Sequence, residues 1–339
     1  MFRLPLRRAL AACLFVLAAR AVVAAPEETS LTVAVGGQGL YYYLPLAVAA
    51  QRGYFEEAGL DVRIADFPGG AKSLQAVVGG SAAFAAGAFE HVLNMQARGQ
   101  GLEAVVLMAR YPGMVLALPA GAGERYRSAA DLKGRKVGVT APGSSTHMFL
   151  NHVLGRAGLS AQDVAVIGGG AGASAIAAMR RGEIDALVHL DPVIHQLEAA
   201  NAIDIVVDTR TQDGANALYG GSYPASCLYG KADYIHAHPE TTQAMVTALV
   251  RALRWIAAAT PAQIADVVPP AFLGGDRAGY IAALSRNLAI LSPDGRFDAD
   301  GAARVLAALR GFEPFMRKAE IDLTRAMTNA FVDRASTTP

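Results

Sequence analysis

Short apolar segments typical of strands alternate with helix-like segments through most of the chain, and this alternation constrains the fold more than any other feature. The strand-like segments are residues 31–35, 61–65, 82–86, 104–109, 136–140, 164–167, 186–189 and 203–207. Strands joined through helices run parallel, and strands that are apolar on both faces belong to a sheet covered on both sides. The sequence therefore predicts an α/β fold with mainly parallel sheets flanked by helices.

The alternation is interrupted twice, and the interruptions divide the chain into two predicted lobes. Tyr111-Pro112-Gly113 ends the first series of strands, and a polar, glycine-rich segment at 208–224 ends the second. We predict two crossings between the lobes, near residues 111–119 and 219–228. The predicted first lobe is discontinuous and the second is inserted into it, with boundaries at 26–112 and 225–339 for the first lobe and 113–224 for the second.

The C-terminal part of the chain, from His238 onward, reads as helices alone. The predicted helices cover residues 239–260, 261–268, 276–290, 299–310 and 320–333. In a parallel sheet, ligands bind beyond the carboxyl ends of the strands. Three loops of the first lobe therefore share one rim, at 36–43, 68–70 and 87–91, and the cleft between the lobes is the predicted binding site.

Composition limits the classes of function that remain. The chain has 339 residues, of which 53% are hydrophobic and 17% charged, so it can bury large cores and is not disordered. Thirty basic and twenty-nine acidic residues leave a formal charge of +1, without a basic stripe beyond the first eight residues. Nothing in this pattern would neutralise a phosphate backbone, so we exclude nucleic acid as a partner.

The N-terminus has the pattern of a cleaved secretory peptide. Three arginines among the first eight residues precede an apolar run from 9 to 19, and small residues at 22–25 precede a polar segment. We predict a signal peptide over residues 1–25 and a periplasmic mature protein. An uncleaved anchor is disfavoured, because the run is shorter than the roughly 20 residues of a membrane span and Arg20 interrupts it.

The two cysteines have different predicted surroundings. Leu10-Ala11-Ala12-Cys13 looks like a bacterial lipoprotein box, but most of the apolar run follows Cys13, so we expect no lipid anchor there. Removal of the signal peptide leaves Cys227 alone, so no disulfide can form within the mature chain. Its apolar neighbours indicate a small core residue.

A strand-to-helix junction at residues 137–152 is the most distinctive local motif. The strand ends at Pro142-Gly143, and Ser144, Ser145 and Thr146 open an apolar helix. Free backbone N–H groups and the positive helix end would face whatever lies above the strand, which suits a small anion. The alternative is that Ser144 or Ser145 only caps the helix, as serine commonly does.

Several segments occur in an order that is found in one family of binding proteins. They are Val33-Ala-Val35 with Leu44-Pro-Leu-Ala47, Gly53-Tyr-Phe55, Gly59-Leu-Asp-Val62, Asp131-Leu-Lys-Gly134-Arg-Lys-Val-Gly-Val139 with Pro142-Gly-Ser144, and Arg181-Gly-Glu-Ile-Asp-Ala186 with Asp191-Pro192. Together, over about residues 31–260, they resemble the substrate-binding proteins of the nitrate, sulfonate and taurine class of ABC importers.

This resemblance implies a two-lobed periplasmic-binding-protein fold of type II, which closes on a hinge and has no catalytic activity. A protein of this class captures a small solute in the cleft without a cofactor. It then delivers the solute to a membrane permease that works with ATPase subunits. We expect such a receptor to be a monomer.

The predicted ligand contacts lie on both sides of the cleft. We expect them from Gln38, Tyr41, Tyr42, Glu90, His91, Arg110, Ser144, Ser145, Thr146, His189 and Asp191. The guanidinium of Arg110, near the first crossing, would neutralise a carboxylate or sulfonate. Structural alternatives stay open for His189 as a core histidine, Glu90 as a favourable charge at a helix N-terminus, and Arg110 as a surface hinge residue.

The expected ligand is a small organic anion. A nitrate receptor needs a tight and strongly polar pocket for a four-atom anion. The three tyrosines at 41–43 and several glycines indicate a roomier, partly apolar pocket instead. We therefore predict a sulfonate or carboxylate, either aliphatic or aromatic.

Other functions find less support in the sequence. The fold is also similar to that of the thiamine pyrimidine-precursor synthases, whose cysteine-rich iron motif is absent here, so binding of that precursor is the main alternative. Gly168-Gly169-Gly170, followed by Asp191, is a weak match to a dinucleotide fingerprint and would indicate an enzyme. His147 and His152 are five residues apart, a spacing that does not suit a shared metal on one helix face.

Overall fold

The structure is a computed structural model that describes residues 25–337. All but the last residue of the predicted signal peptide, including Cys13, lies outside this range. Two five-stranded sheets organise the described chain. Among its helices, none is both long enough and apolar enough to cross a bilayer.

The first sheet contains β1 (Ser30–Val35), β2 (Asp61–Asp66), β3 (Phe84–Ala88), β4 (Leu102–Leu107) and β10 (Ser226–Lys231). Their order across the sheet is β2-β1-β3-β10-β4. β1 pairs in parallel with β2 and β3, whereas β10 runs antiparallel to β3 and β4. Four strands are thus parallel and one opposes them.

The second sheet contains β5 (Met114–Pro119), β6 (Lys136–Val139), β7 (Ala165–Gly168), β8 (Ala186–Leu190) and β9 (Ile203–Asp208). Their order is β7-β6-β8-β5-β9, and β5 is the antiparallel strand. β5 and β8 are buried along almost their whole length, which explains their continuous apolar sequences.

The chain passes between the sheets twice, first from β4 to β5 and later from β9 to β10. These passages coincide with the crossings predicted near 111–119 and 219–228. The predicted fold class is therefore confirmed: two mainly parallel sheets are flanked by helices and joined by two crossings. We call each sheet with its helices a lobe, the first containing β1 and the second containing β5.

The helices follow the strands in both lobes. The first lobe has α1 (Leu44–Gln51), α2 (Tyr54–Glu57), α3 (Gly70–Val78) and α4 (Phe89–Gln96), and a short 3₁₀ turn at Tyr41–Tyr43 precedes α1. The second lobe has α5 (Ser145–Arg156), α6 (Ala173–Arg180), α7 (Val193–Ala199) and α8 (Gln212–Tyr219). After β10 come α9 (Ala232–Ala237), α10 (Pro239–Ala258), α11 (Pro261–Val267), α12 (Arg277–Asn287), α13 (Ala299–Phe312), α14 (Pro314–Lys318), α15 (Leu323–Ala326) and α16 (Ala330–Thr337).

Helix α8 lies in the segment that the sequence marks only as polar and glycine-rich. Thr211 caps it, because its hydroxyl accepts a hydrogen bond from the N–H of Gly214 at 3.1 Å. Gly220, with φ of +80°, ends the helix in the left-handed conformation that glycine adopts freely. Local capping therefore produces a helix that hydrophobic patterning did not reveal.

The prediction of one continuous helix over residues 320–333 is wrong, because the structure has two short helices there, α15 and α16. Asp322 caps α15 by accepting a hydrogen bond from the N–H of Thr324 at 2.9 Å. The chain then extends, and Met327 pairs with Ala104 of β4 before α16 begins. β4 is an edge strand of the first sheet, so its outer backbone groups have no partner strand. The segment at Met327 pairs with these groups instead of forming helical hydrogen bonds.

Two helices of the C-terminal region reach the second lobe. α13 packs against α5 of the second lobe and also against α4 of the first. α12 packs against α7, while α10 and α16 stay with the first lobe on β4. The C-terminal region therefore borders the cleft from two sides.

Candidate functional site

The N-terminus of α5 is held by three hydroxyl groups that bond to one another. The hydroxyl oxygens of Thr140, Ser144 and Thr146 lie 2.8–2.9 Å apart, and all three side chains are buried. The Thr146 oxygen also accepts the N–H of Thr140 at 3.0 Å, and Ser144 donates to the carbonyl of Ala141 at 2.6 Å. These hydroxyls fix the strand-to-helix turn, and the ligand contacts expected from the side chains of Ser144 and Thr146 stay predictions.

The two lobes touch along the rim of the cleft. The N–H of Tyr41 donates to the carbonyl of Asp191 at 3.2 Å. Gly69, with φ of +128°, lies so near to Ala141 that an added Cβ would come within 2.8 Å of the Ala141 side chain. Glycine is needed at this point both for the backbone conformation and for the close approach of the lobes.

His91 also spans the cleft. Its Nε2 donates to the carbonyl of Gly143 in the second lobe at 3.3 Å, which leaves Nδ1 to accept from the hydroxyl of Tyr229 at 3.1 Å. Burial lowers the pKa of this imidazole to about 4, so the ring is neutral at physiological pH. Both nitrogens are engaged, and we interpret His91 as a contact between the lobes.

Glu90 is buried in the first turn of α4, beside His91, where the first lobe meets the second. Its side chain is only 4% exposed, and Oε1 accepts a hydrogen bond from the hydroxyl of Tyr223 at 3.3 Å. Oε2 has no hydrogen-bond partner among residues 25–337. Burial raises the pKa of the carboxyl to about 7. This carboxyl is the most unusual group of the cleft, because a buried acid normally has partners for both oxygens.

Tyrosine rings surround Glu90. Burial and the charge of Glu90 both raise the pKa values of Tyr42, Tyr219 and Tyr223 far above the usual range. The rings of Tyr219 and Tyr223 stack with centroids 3.8 Å apart, and His152 of α5 stacks on the far side of Tyr219 at 4.7 Å. The second crossing thus supplies one aromatic wall of the site.

The second lobe approaches Glu90 through α5. The hydroxyl of Tyr42 is buried and makes no hydrogen bond of normal geometry in the described chain, although the hydroxyl of Ser145 is close enough to lower its pKa against the effects of burial and of Glu90. One turn further along α4, Asn94 donates from Nδ2 to the sulfur of Met148 at 3.3 Å. We call Tyr42, Glu90, Asn94, Ser145, Met148 and Tyr223 the Glu90 cluster.

Polar atoms without partners are concentrated on these elements. Besides Glu90 Oε2 and the Tyr42 hydroxyl, Asn94 Oδ1 on α4 and Asn151 Oδ1 on α5 are buried and unpartnered within residues 25–337. His147 on α5 accepts the N–H of Gly143 at Nδ1, 2.9 Å away, so the proton of its neutral ring is on Nε2, which also lacks a partner. Leaving such groups unpaired costs free energy, so each of them calls for a partner from a water, an ion or a bound solute.

His189 and Asp191, at the end of β8, both have protein partners, and their predicted ligand contacts stay predictions. Both ring nitrogens of His189 face backbone carbonyls, Nε2 that of Gly170 at 3.1 Å and Nδ1 that of Leu190 at 3.2 Å. Asp191 accepts from the N–H of His195 at 2.7 Å and from Asn287 at 2.6 Å, and it pairs with Arg210 at 3.3 Å. Both side chains are buried with partners of their own, so the alternative of a core histidine is the better interpretation of His189.

Three further predicted contacts lie apart from the Glu90 cluster. Tyr41 donates its hydroxyl to the carbonyl of Tyr280 at 2.9 Å and packs edge-on against that ring. Arg110 donates from Nε to the carbonyl of Ala289 at 3.2 Å, so its guanidinium binds the C-terminal region. Gln38 is exposed and lines a separate pocket of about 650 Å³ at the mouth of the cleft.

Sequence reasoning placed Tyr42, Glu90 and Ser145 together but missed several neighbours. Tyr223 was visible only as a tyrosine in a polar segment, and Asn151 only as one residue of α5. Asn94 could have been found, because it lies four residues after Glu90 and so on the same face of α4. The remaining neighbours depend on how the second crossing folds back, for which no local signal exists.

Metal and dinucleotide chemistry find no matching site in the described part of the chain. No group of three or more His, Cys, Asp or Glu side chains there could hold a metal ion. The glycines 168–170 begin at the last residue of β7, which is an edge strand of the second sheet. Asp191, the predicted acidic partner of that fingerprint, is occupied by Arg210 and Asn287.

Solved structures of other proteins share this fold. A structure from Bordetella bronchiseptica RB50 is 48% identical to this chain, with a TM-score of 0.88, and covers 92% of this chain and 98% of that one. The alkanesulfonate-binding protein of Xanthomonas axonopodis pv. citri, solved with bound MOPS, is 22% identical, with a TM-score of 0.65 over 91% of this chain and 98% of its own. The second similarity is one of fold alone.

Known sequences match over shorter stretches. A candidate binding protein of Brucella abortus is 35% identical over 124 residues, so the match spans only 36% of the length of either chain. A 4-amino-5-hydroxymethyl-2-methylpyrimidine phosphate synthase of Aspergillus parasiticus is 27% identical over 238 residues, which is 67% of this chain and 66% of that protein.

A family model described as NMT1/THI5 like matches residues 41–264. The matched span begins at the 3₁₀ turn that carries Tyr42 and includes the second lobe and both crossings. All members of the Glu90 cluster therefore lie inside it. Because the match covers more than half of the sequence, the chain belongs to the NMT1/THI5-like family.

Proposed function

We propose that this protein is the solute-binding component of an ABC importer. In this proposal it works in the periplasm, encloses a small organic solute between its lobes at the Glu90 cluster, and presents the solute to a permease. The observation that carries the proposal is the set of buried, unpartnered polar atoms, Glu90 Oε2 and the Tyr42 hydroxyl above all. Groups of this kind are stabilised when a ligand supplies the missing hydrogen bonds.

The position of the cluster between the two lobes supports capture by closure. Tyr42, Glu90 and Asn94 belong to the first lobe, whereas Ser145 and Met148 belong to the second. A solute bonded to both sides would stabilise the closed arrangement over an open one, because its affinity would differ between the two. The crossings at β4 to β5 and β9 to β10 are the natural hinges for such a motion.

The chemistry of the cluster favours binding over catalysis. Burial and the charge of Glu90 raise the pKa of the Cys227 thiol well above its usual value, so this thiol is protonated and a poor nucleophile. His91 has both ring nitrogens engaged and is therefore not placed to act as a base. An activated nucleophile would need a base free to receive its proton.

The predicted organic anion fits this site less well than a solute without negative charge does. Arg110 bonds to the C-terminal region, and the hydroxyls of Ser144 and Thr146 bond to each other. The central charged group is instead a carboxyl, which repels an anion whenever it is ionised. The groups that would contact a solute here are those of the Glu90 cluster.

A thermal-shift screen of the mature protein with small organic solutes tests the proposal. A solute at 100 times its dissociation constant adds about 2.7 kcal/mol to the free energy of unfolding, which raises the melting temperature by several degrees. Cellular uptake of that solute should then fall when the gene is deleted. Turnover of the bound solute by the purified protein would contradict the binding role and favour an enzyme.

A further inference from the structure

The class of solute can be inferred from the balance of donors and acceptors in the cleft. Asn94 Oδ1 and Asn151 Oδ1 are buried acceptors without partners, and Glu90 Oε2 is a third when its carboxyl is ionised. His147 Nε2 is the one pure donor in this set, and the Tyr42 hydroxyl can serve in either way. With Glu90 ionised, a solute that satisfies this set contributes more hydrogen-bond donors than acceptors.

The charges around Glu90 point in the same direction. Its surroundings are Tyr42 from the 3₁₀ turn, Tyr219 from α8, Tyr223 from the second crossing and Cys227 from β10. All of these groups are neutral when protonated, and no cation of the described chain is among the groups that shift the pKa of Glu90. A buried carboxylate without a cationic partner is strongly destabilised, and a cationic ligand would relieve this.

The tyrosines beside Glu90 bring no positive charge of their own. Tyr223 donates its hydroxyl to Glu90 Oε1, and its ring stacks on that of Tyr219. A planar cation with several N–H donors can bond to a carboxylate through two of them, as a guanidinium does.

We propose, on the basis of the function proposed above, that Glu90 selects a solute bearing a protonated amine, amidinium or guanidinium group. The N–H donors of this group bond to Glu90 Oε2 and to the amide oxygen of Asn94, which lies one helical turn further along α4. Nitrate, sulfonates and carboxylates are disfavoured at this point. The site would therefore differ in ligand charge from the anion expected from sequence and from the alkanesulfonate receptor that shares its fold.

Two series of matched compounds test this inference by calorimetry. Benzamidine and benzylamine are compared with benzoate and benzenesulfonate, and butylguanidine is compared with butyrate and butanesulfonate. We expect the nitrogen compounds to bind and the anions to bind at least tenfold more weakly. Stronger binding of the anions would overturn the inference while leaving the proposed function intact. If no nitrogen compound binds while an uncharged or anionic solute from the thermal-shift screen does, the inference is overturned and the proposed function stands.

Two variants test whether Glu90 is the residue that selects the nitrogen compounds. Glu90→Gln keeps the size of the side chain and should weaken the binding of the nitrogen compounds about tenfold or more. Glu103→Gln is the matched control, because Glu103 is also a buried carboxyl of the first lobe but lies on β4 beside His236. It should change affinity less than twofold. Unchanged binding in Glu90→Gln, with the fold verified by circular dichroism, would overturn the assignment.

The sign of proton exchange on binding supplies an independent readout. A cation stabilises ionised Glu90, so its binding near pH 7 should release protons, seen as a heat that depends on the ionisation enthalpy of the buffer. An anion would require the protonated carboxyl, and its binding would take protons up. Proton uptake by the solute that binds best would overturn the inference even if Glu90→Gln did not fold.

Discussion

Asn287 donates from Nδ2 to Oδ2 of Asp191 at 2.6 Å, and this hydrogen bond joins the end of α12 to the end of β8 in the second lobe. Both side chains are buried, with exposures of 2% and 1%. The guanidinium of Arg210 forms an ion pair with the same carboxylate and further ion pairs with Asp208 and Glu198. The C-terminal region is thereby tied to the second lobe through a buried charge network.

Removal of this contact should destabilise the protein. Asn287→Ala leaves the Oδ2 atom of Asp191 with Arg210 as its remaining partner, in a place that water does not reach. We expect the free energy of unfolding to fall by about 1–3 kcal/mol, as is usual when a buried polar group loses its partner. Urea denaturation measures the change. Asn216→Ala, at an exposed position of α8, is the control and should leave stability unchanged.

The hydroxyl group of Thr146 should matter for folding rather than for binding. Thr146→Val removes the acceptor for the N–H of Thr140 and two hydroxyl contacts, without changing the shape of the side chain. We expect a loss of about 1–3 kcal/mol in denaturation experiments. Thr146→Ser retains the hydroxyl and should recover most of this loss. A stable Thr146→Val protein with weakened solute binding would instead restore the predicted ligand contact.

The fold was predictable because it rests on signals that act locally. Alternating strands and helices identified a parallel α/β architecture, and Tyr111-Pro112-Gly113 marked the first crossing. The rule that ligands bind beyond strand ends brought Tyr42, Glu90 and Ser145 to one cleft. As ligand contacts these residues stay predictions, but their placement followed from the order of the elements alone.

The roles of the other predicted residues depended on contacts that are distant in sequence. Arg110 bonds to Ala289, and Tyr41 bonds to Tyr280, because the C-terminal helices pack back over the cleft. His189 meets Gly170 because β8 and the loop after β7 end on the same side of the second sheet. No pattern of residue types encodes these meetings, so their side chains could not be separated from ligand contacts in advance.

The hydroxyls of Tyr41 and Tyr42 should contribute in opposite ways. Tyr41→Phe loses the hydrogen bond to Tyr280 and should destabilise the protein by about 1 kcal/mol. Tyr42→Phe removes a hydroxyl without a partner in the described chain, so the free energy of unfolding should stay the same or rise. The same change should weaken solute binding by about 2- to 10-fold, measured by calorimetry. Strong destabilisation by Tyr42→Phe would place the hydroxyl in the core instead.

Glu90 and His91 should oppose each other in the pH dependence of stability. Burial raises the pKa of Glu90 to about 7, so the folded protein retains a proton that the unfolded chain loses above about pH 4.5. The contribution of Glu90 therefore declines as the pH rises from 4.5 to 7. Burial lowers the pKa of His91 to about 4 from 6.5. Its contribution is present above pH 6.5 and declines as the pH falls toward 4.

Between about pH 4.5 and 6.5 the two linkages nearly cancel, and substitution of either residue should expose the other. Glu90→Gln removes the acid, so the variant should lose stability relative to the wild type on acidification, by up to about 1.4 kcal/mol per pH unit from the unbalanced His91. At pH 8 the same variant should be more stable than the wild type, because it no longer buries an ionised carboxylate. Denaturation at pH 5, 6.5 and 8 measures both effects. A constant difference between the two proteins across this range would show that Glu90 titrates normally and is reached by water.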